Sequence, residues 1–240
     1  MLVSAHSVLA EPDAQELVRK SFDHYRGLAS QARIDMIIHR PTWERRMEMD
    51  AWTKGSQDSL VRIIAPAKDK DNATLKKGID MYIYNPKVDR VIKLPPSMMS
   101  QSWMGSDFSN NDLSKTDTLL TDYIHTLETV ESHEGHKVYV IKSLPKPIAP
   151  VVWGMQRLKI RDDHVLLSQE FFDEDLQSVK KMVAWDIRMM GGRMFPRKWR
   201  MAETGVADEY TELQYKELTF LEELPDRMFT LNELKSRRRR

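Results

Sequence analysis

The most informative part of the chain is residues 81–94, which read MYIYNPKVDRVIKL. Both halves of this run are rich in β-branched and aromatic side chains, and the Asn85-Pro86 pair between them is typical of a turn. Successive side chains of a strand point to opposite faces, so Tyr82 and Tyr84 share one face while the residues before them share the other. The run predicts a β-hairpin, and the sequence leaves open which face lines the interior.

Outward from this hairpin, strand-like runs continue through most of the chain. Turn signals separate them, among them the Gly191-Gly192 pair between two long alternating runs. Near the N-terminus, Asp13 and Glu16 resemble a capping pair, and apolar residues at helical spacing up to Gly27 predict one short amphipathic helix. About ten strands without a βαβ pattern predict a mainly β (α+β) fold with a strongly curved antiparallel sheet. Beside the hairpin, the predicted strands are residues 34–38, 46–51, 60–64, 121–130, 137–143, 156–161, 166–172, 180–190, 195–201 and 210–220.

Composition narrows the class of protein and its domain organisation. The chain has 240 residues, with 37 Lys plus Arg against 36 Asp plus Glu, and no cysteine. The balanced charge gives no attraction for nucleic acid, and the lack of cysteine excludes disulfides, thiolate catalysis and a lipid-modified cysteine. Charges interrupt every later apolar run, so we expect no membrane span. Residues 1–10 resemble a truncated signal peptide, residues 11–235 are expected to form a single domain, and residues 236–240 form a basic tail.

The segment after the hairpin has a different character. Beyond Pro95-Pro96 the alternation stops, and the chain becomes rich in Met, Ser and aromatic residues, which predicts loop and helix. Met99 and Trp103, like Met104 and Phe108, are four residues apart and would share one side of a helix. Flexible thioethers beside aromatic rings suit a variable acyl chain, although an ordinary core-facing helix shows the same stripe.

Four stretches of the chain together resemble the LolA-like outer-membrane lipoprotein-sorting proteins. They are residues 81–91, 95–99, 102–109 and 224–231, of which the run Gly105-Ser106-Asp107-Phe108 is the most specific. The resemblance implies an incomplete β-barrel, an antiparallel sheet wrapped into a half-cylinder with short helices as a lid over its open face. It also implies a periplasmic carrier that moves lipid acyl chains or lipoproteins towards the outer membrane and has no enzyme activity.

An acyl-chain site would then lie between the apolar face of the sheet and the lid. Such a cavity has to offset about 0.8 kcal/mol for every methylene that leaves the membrane. The expected partners are a lipid or lipoprotein acyl chain, a transient inner-membrane exporter or transporter, and the outer membrane or its receptor, with the protein acting as a monomer. The candidate lipid-binding residues are Tyr82, Tyr84, Met98, Met99, Trp103, Met104, Phe108 and Trp153.

Two other interpretations stay open at this point. An accessory or adaptor subunit of an inner-membrane RND/MMPL-type lipid exporter would dock on its partner and would need little closed cavity. A hydrolase acting on lipid head groups would need a nucleophile beside a base, and no spacing in the sequence brings such a pair together. His133-Glu134-Gly135-His136 lacks the helical spacing of a zinc-protease motif, so we expect neither a metal site nor a cofactor.

Overall fold

The computed structural model describes residues 12–236, which form one antiparallel sheet of thirteen strands and four short α-helices. The predicted signal-peptide remnant at residues 1–10 and the basic tail beyond Ser236 lie outside the described residues. In the described part of the chain, every helix is too short or too polar to cross a membrane.

The strands and helices have the following bounds. The strands are β1 (Ala29–Arg40), β2 (Trp43–Lys54), β3 (Asp58–Ala65), β4 (Ala73–Lys77), β5 (Asp80–Asn85), β6 (Arg90–Lys93), β7 (Tyr123–His133), β8 (His136–Pro145), β9 (Met155–Arg161), β10 (Leu166–Phe172), β11 (Ser178–Met190), β12 (Arg193–Glu203) and β13 (Tyr210–Leu221). The helices are α1 (Ala14–Arg26), α2 (Asn110–Ser114), α3 (Thr118–Thr121) and α4 (Leu231–Lys235), with 3-10 turns at Pro96–Met98, Trp103–Gly105 and Asp226–Phe229.

The spatial order of the strands is β6-β5-β4-β3-β2-β1-β13-β12-β11-β10-β9-β8-β7. Strand β1 pairs on one side with β2 and on the other with β13, so Ile34 lies between Met49 and Tyr215. Strands β6 and β7 are the two edges of this sheet and do not pair with each other within residues 12–236. The predicted mainly β fold with an open, barrel-like antiparallel sheet is confirmed.

The sheet curves around α1, which touches both of its halves. Arg26 at the end of α1 donates to the carbonyl of Gly55 in the β2–β3 turn, at 2.9 Å. Near its start, Gln15 donates to the carbonyl of Leu120 at 3.3 Å, and apolar residues of α1 pack on Tyr123 of β7. One helix of this length reaches strands of both halves because the sheet is curved.

Helix α1 begins and ends where the sequence predicts. Asp13 caps it by accepting from the backbone N–H of Gln15 at 2.9 Å, and Gly27 ends it with a φ of 64°. Glu16 does not complete the expected capping pair, because its carboxylate binds Arg19 at 2.6 Å instead. The cap therefore depends on Asp13 alone.

Strand β4 was not predicted, and its two lysines explain why. Ala73–Lys77 ends in adjacent lysines, which break the apolar alternation that marks a strand. Lys76 is nevertheless buried, because its ammonium binds Asp117 at 2.9 Å and the carbonyl of Ser56 at 3.0 Å. The paired charge lets a short polar strand lie inside the molecule.

The outer face of the β2–β5 region is covered by the C-terminal segment. Trp52, Leu60 and Tyr84 pack there against Phe229 and Leu234. Residues 224–231, which resemble the LolA-like C-terminal signature, therefore help to cover the apolar outer face of the sheet.

Candidate functional site

An apolar cavity of about 200 Å³ lies between α1, the segment of residues 95–122, and the inner face of the β7–β13 half of the sheet. We call residues 95–122 the lid segment. Residues two apart on one strand share a face, so alternate residues of β9–β13 form one wall of the cavity. The wall includes Leu158, Phe171, Met182, Trp199, Met201 and Leu213.

Helix α1 closes one side of the cavity with residues at helical spacing. Val18, Phe22 and Tyr25 all line it. The ring of Tyr25 lies edge-on to Trp199 at 5.4 Å, and its hydroxyl lies 3.3 Å from that of Tyr215. Burial raises the pKa of Tyr215 well above its ordinary value, so this hydroxyl stays neutral.

The lid segment is the predicted mixture of loop and short helices, but its residues 99–108 do not form the helix that the four-residue spacing predicts. It contains two separate 3-10 turns, and Met104 has a φ of 55°, which reverses the chain between Trp103 and Phe108. The backbone N–H of Trp103 then donates to the carbonyl of Phe108 at 2.7 Å. The tight loop brings both aromatic side chains to the cavity. In a helix the two residues would lie more than one turn apart.

Three of the eight candidate residues lie in the cavity wall, namely Trp103, Phe108 and Trp153. Met98, Met99 and Met104 instead pack against the core cluster over the inner face of β1–β5, which is the ordinary core-facing alternative.

The two tyrosines of the hairpin lie on the side of the sheet away from the cavity. Met81 and Ile83 face inwards and pack with Trp103, whereas Tyr82 and Tyr84 pack with the C-terminal segment on the outer face. The hydroxyl of Tyr84 donates to Asp89 at 2.9 Å. The hairpin itself is confirmed as β5 and β6.

Three ion pairs hold the lid segment against the sheet, namely Arg40–Asp107, Lys76–Asp117 and Lys180–Asp112. The guanidinium of Arg40 in β1 donates to both carboxylate oxygens of Asp107, at 2.9 and 3.2 Å. At the other end, Lys76 of β4 binds Asp117 before α3. Burial lowers the pKa of Lys76 while Asp117 opposes that shift. Asp107 belongs to the most specific part of the lipoprotein-sorting pattern, and its contact explains why an acid is placed there.

A second, polar pocket of about 280 Å³ adjoins the apolar cavity and shares Asn111, Val152 and Trp153 with it. Four lid serines, at positions 100, 102, 106 and 109, line this polar pocket. Lys180 lies at the junction of the two spaces, paired with Asp112 of α2 and 5.0 Å above the ring of Trp153. An apolar space beside a polar one matches the two parts of an amphiphile.

The histidine-rich turn after β7 lies elsewhere. Within residues 12–236, His136, Asp162 and Asp163 are close enough together to share a metal ion. The ring of His136 is 2.7 Å from Asp162, and Arg161 binds Asp163, so these groups already partner one another or a neighbour. The group lies at the turns opposite the polar pocket.

Three of the matching solved structures share this fold. An outer membrane lipoprotein-sorting protein domain from Vibrio parahaemolyticus is 20% identical, with a TM-score of 0.81 over 93% of this chain and 98% of that chain. A LolA superfamily protein from Nitrosomonas europaea is 22% identical, with a TM-score of 0.77 over 93% of this chain and 100% of that one. A DUF1329 family protein from Desulfovibrio piger is 22% identical, with a TM-score of 0.81 and the same coverage.

A family model described as an uncharacterized protein matches residues 55–236, which is more than half of the chain. The chain belongs to this family. Its fold is that of the LolA-like lipoprotein-sorting domains, as the resemblance in residues 81–109 implies. A comparison with curated proteins gives no match.

Sequence reasoning missed most of the cavity wall. The sequence shows the apolar face of α1 as a helical stripe, but it does not show that this face points into the cavity. The wall residues of β9–β13 belong to ordinary alternating strands, and only the curvature of the sheet brings Leu158 of β9 near Tyr215 of β13.

Proposed function

We propose that the protein is a periplasmic carrier that binds the acyl chain of a lipid or lipoprotein in the apolar cavity and moves it towards the outer membrane. The observation that carries the proposal is the apolar cavity beneath a separately fastened lid segment. The similarity to a lipoprotein-sorting domain supports the same function. No catalytic step is part of the proposal.

The energetics favour a cavity that enlarges on binding. Extracting a long acyl chain into water costs on the order of 10 kcal/mol, at about 0.8 kcal/mol per methylene. A cavity of about 200 Å³ is only slightly larger than an engineered cavity of about 150 Å³ that binds benzene. A whole chain therefore requires the lid segment to move away from the sheet. This movement breaks the ion pairs Arg40–Asp107, Lys76–Asp117 and Lys180–Asp112.

We place the entrance at the strand ends beside the polar pocket. Antiparallel pairing brings the β1–β2, β8–β9, β10–β11 and β12–β13 loops to that end of the sheet. These loops carry exposed apolar side chains, which suit contact with a membrane or a membrane protein. They are Trp43, Ile148, Val152, Leu176 and Val206.

The test is binding of a fluorescent sixteen-carbon fatty acid to the wild type and to two matched variants. Leu213 lines the cavity, whereas Gln214 beside it points to the other face of β13. We expect Leu213→Trp to fill the cavity and weaken binding by about tenfold or more. We expect Gln214→Trp to bind like the wild type, with circular dichroism confirming that both variants are folded.

Two results would contradict the carrier. If Leu213→Trp binds as the wild type does, the chain lies somewhere other than this cavity. If the wild type takes up neither the fatty acid nor a neutral monoacylglycerol of the same chain length, an exporter adaptor that uses the exposed loops as a docking surface becomes the better interpretation.

A further inference from the structure

A buried acceptor without a partner lies in the wall of the apolar cavity. The side chain of Asp112 is only 6% exposed, and Asp112 lines the cavity. Its Oδ2 accepts from the backbone and hydroxyl of Ser109, at 2.7 and 2.8 Å, and pairs with Lys180. Its Oδ1 is buried and has no hydrogen-bond partner among residues 12–236. Such an oxygen is costly to leave unpaired, and a ligand that brings a donor would remove that cost.

A second unpartnered group lies four residues further along the lid segment. The hydroxyl of Thr116 is buried, lines the same cavity, and has no partner within the described part of the chain. A hydroxyl both accepts and donates, whereas a carboxylate only accepts. The pair of groups therefore favours a ligand with at least one O–H or N–H donor at the point where the apolar cavity meets the polar pocket.

The charge around this junction disfavours an anionic head group. The polar pocket is lined by two cations, Arg40 and Lys180, and by three carboxylates, Asp107, Glu203 and Glu209. Both cations are already engaged, Arg40 by Asp107 and Lys180 by the carboxylate of Asp112. A phosphate or carboxylate entering here would meet a surplus of negative charge.

We infer that the cargo is an amphiphile whose polar end is neutral and carries hydroxyl or amide N–H donors. Its chain occupies the apolar cavity, its donors bind Asp112 Oδ1 and the Thr116 hydroxyl, and the rest of its polar end lies in the polar pocket. The inference rests on the proposed carrier function and adds the class of head group that the carrier recognises.

The experiment compares three twelve-carbon probes that differ only in the head group. Monolauroylglycerol is neutral with two hydroxyls, methyl laurate is neutral without a donor, and laurate is anionic. Each is titrated below its critical micelle concentration or solubility limit, and tryptophan fluorescence, to which Trp103, Trp153 and Trp199 of the cavity wall contribute, reports binding. We expect monolauroylglycerol to bind the wild type about tenfold more tightly than either other probe.

Two threonines in the same wall provide a matched pair of variants. Thr116→Val removes the unpartnered hydroxyl, whereas Thr118→Val removes a hydroxyl that already donates to the carbonyl of Lys115 at 2.7 Å. We expect Thr116→Val to reduce the preference for monolauroylglycerol over methyl laurate to about threefold or less, and Thr118→Val to retain it. The double variant D112N/K180M, which removes both charges of the buried pair together, is expected to reduce the preference further.

The outcomes separate the head-group inference from the carrier function. Equal binding of the three probes, tighter binding of laurate, or an unchanged preference in both Thr116→Val and D112N/K180M would overturn the inference and leave the carrier in place. If none of the probes binds, the proposed function fails and the inference fails with it.

Discussion

The inner surface of the sheet has two regions that are built from the same kinds of residue and behave differently. Over β1–β5 the surface is filled, and Met36, Met47 and Met81 are buried against Trp103, whose indole donates to Thr74 at 3.0 Å. Over β9–β13 similar apolar residues, such as Met182 and Leu213, line a cavity. Apolar composition alone therefore does not distinguish a core from a binding site.

The difference lies in what covers each region. Met98, Met99, Trp103 and Met104 of the lid segment pack in the core cluster that fills the β1–β5 region and extends to β11–β13. The later lid segment and α1 lie over β9–β13 and leave a space between themselves and the sheet. Trp103, Trp199 and Tyr215 belong to both regions, since they are members of the filled core cluster and also border the cavity. The proposed carrier function assigns stability to the filled region and cargo to the cavity.

The largest difference between the two regions is expected when one methionine in each is replaced by alanine. Met36→Ala removes a fully buried side chain from the filled region, and we expect it to cost about 2–5 kcal/mol of unfolding free energy. Met182→Ala removes a partly buried side chain that already borders empty space, so we expect a cost of no more than about 1 kcal/mol. Urea unfolding of both variants measures the two costs.

Fatty-acid binding by the same two variants is a second test of whether the two regions are separate. We expect Met182→Ala to bind a sixteen-carbon fatty acid at least as well as the wild type, because the cavity becomes larger. Met36→Ala, measured where it is folded, should bind within a factor of about two of the wild type. Equal stability costs, or lost binding in Met36→Ala alone, would show that the two regions are not separate.

The sequence predicted the features that depend on neighbouring residues. The hairpin of residues 81–94 and the helix up to Gly27 are set by local turn and capping chemistry, and both are present in the structure. Loop and short helices were correctly predicted for the lid segment. The helical face predicted for Met104 and Phe108 was wrong, because nothing in their spacing shows that Met104 adopts a positive φ. Local periodicity cannot detect such a reversal.

The cavity could not be predicted from the sequence because it depends on distant contacts. Tyr215 points into it only through the register of β13 against β1, which shifts between Arg33 and Ile34. The outward direction of Tyr82 likewise depends on the C-terminal segment, which covers that face from more than a hundred residues away. The apolar pattern alone gives no sign of either contact.

Two exposed isoleucines allow the entrance to be compared with the opposite end of the strands. Ile148 lies in the β8–β9 loop beside the polar pocket, and Ile79 lies in the β4–β5 turn at the opposite end. We expect Ile148→Asp to slow uptake of a fluorescent fatty acid from phospholipid vesicles by about threefold to tenfold, because it removes apolar contact with the membrane. Ile148 has a φ of 64°, which Asp tolerates, so the fold should be retained.

The matched control is Ile79→Asp, which should take up fatty acid at the wild-type rate. Equilibrium binding of the fatty acid in solution should be unchanged in both variants. Slower uptake in Ile79→Asp, or equal rates in all three proteins, would mean that cargo does not enter at the loops beside the polar pocket.

The smallest expected effect is a pH dependence at the α3 side of the cavity. His125 lies 3.0 Å from the carbonyl of Leu119, a cavity-wall residue, and 2.7 Å from the hydroxyl of Ser143. Burial lowers the pKa of His125, so the unfolded chain takes up the proton first as the pH falls below about 6.5. The stability that the neutral ring contributes is present above that pH and is lost below it.

We therefore expect acidification from pH 7.5 to 5.5 to lower the Tm of the wild type by a few degrees more than that of His125→Gln, which does not titrate. Differential scanning fluorimetry measures both profiles. A larger fall in His125→Gln than in the wild type would contradict a neutral, buried His125.

The most direct test of the account is native mass spectrometry, with organic extraction, of the wild type and Leu213→Trp purified from the native host. The account predicts that the wild type carries a stoichiometric acylated molecule with a neutral, donor-bearing polar end, and that Leu213→Trp is largely empty. A wild type without any bound acyl species, or a Leu213→Trp variant that carries as much of it, would contradict the claim that this cavity holds the cargo.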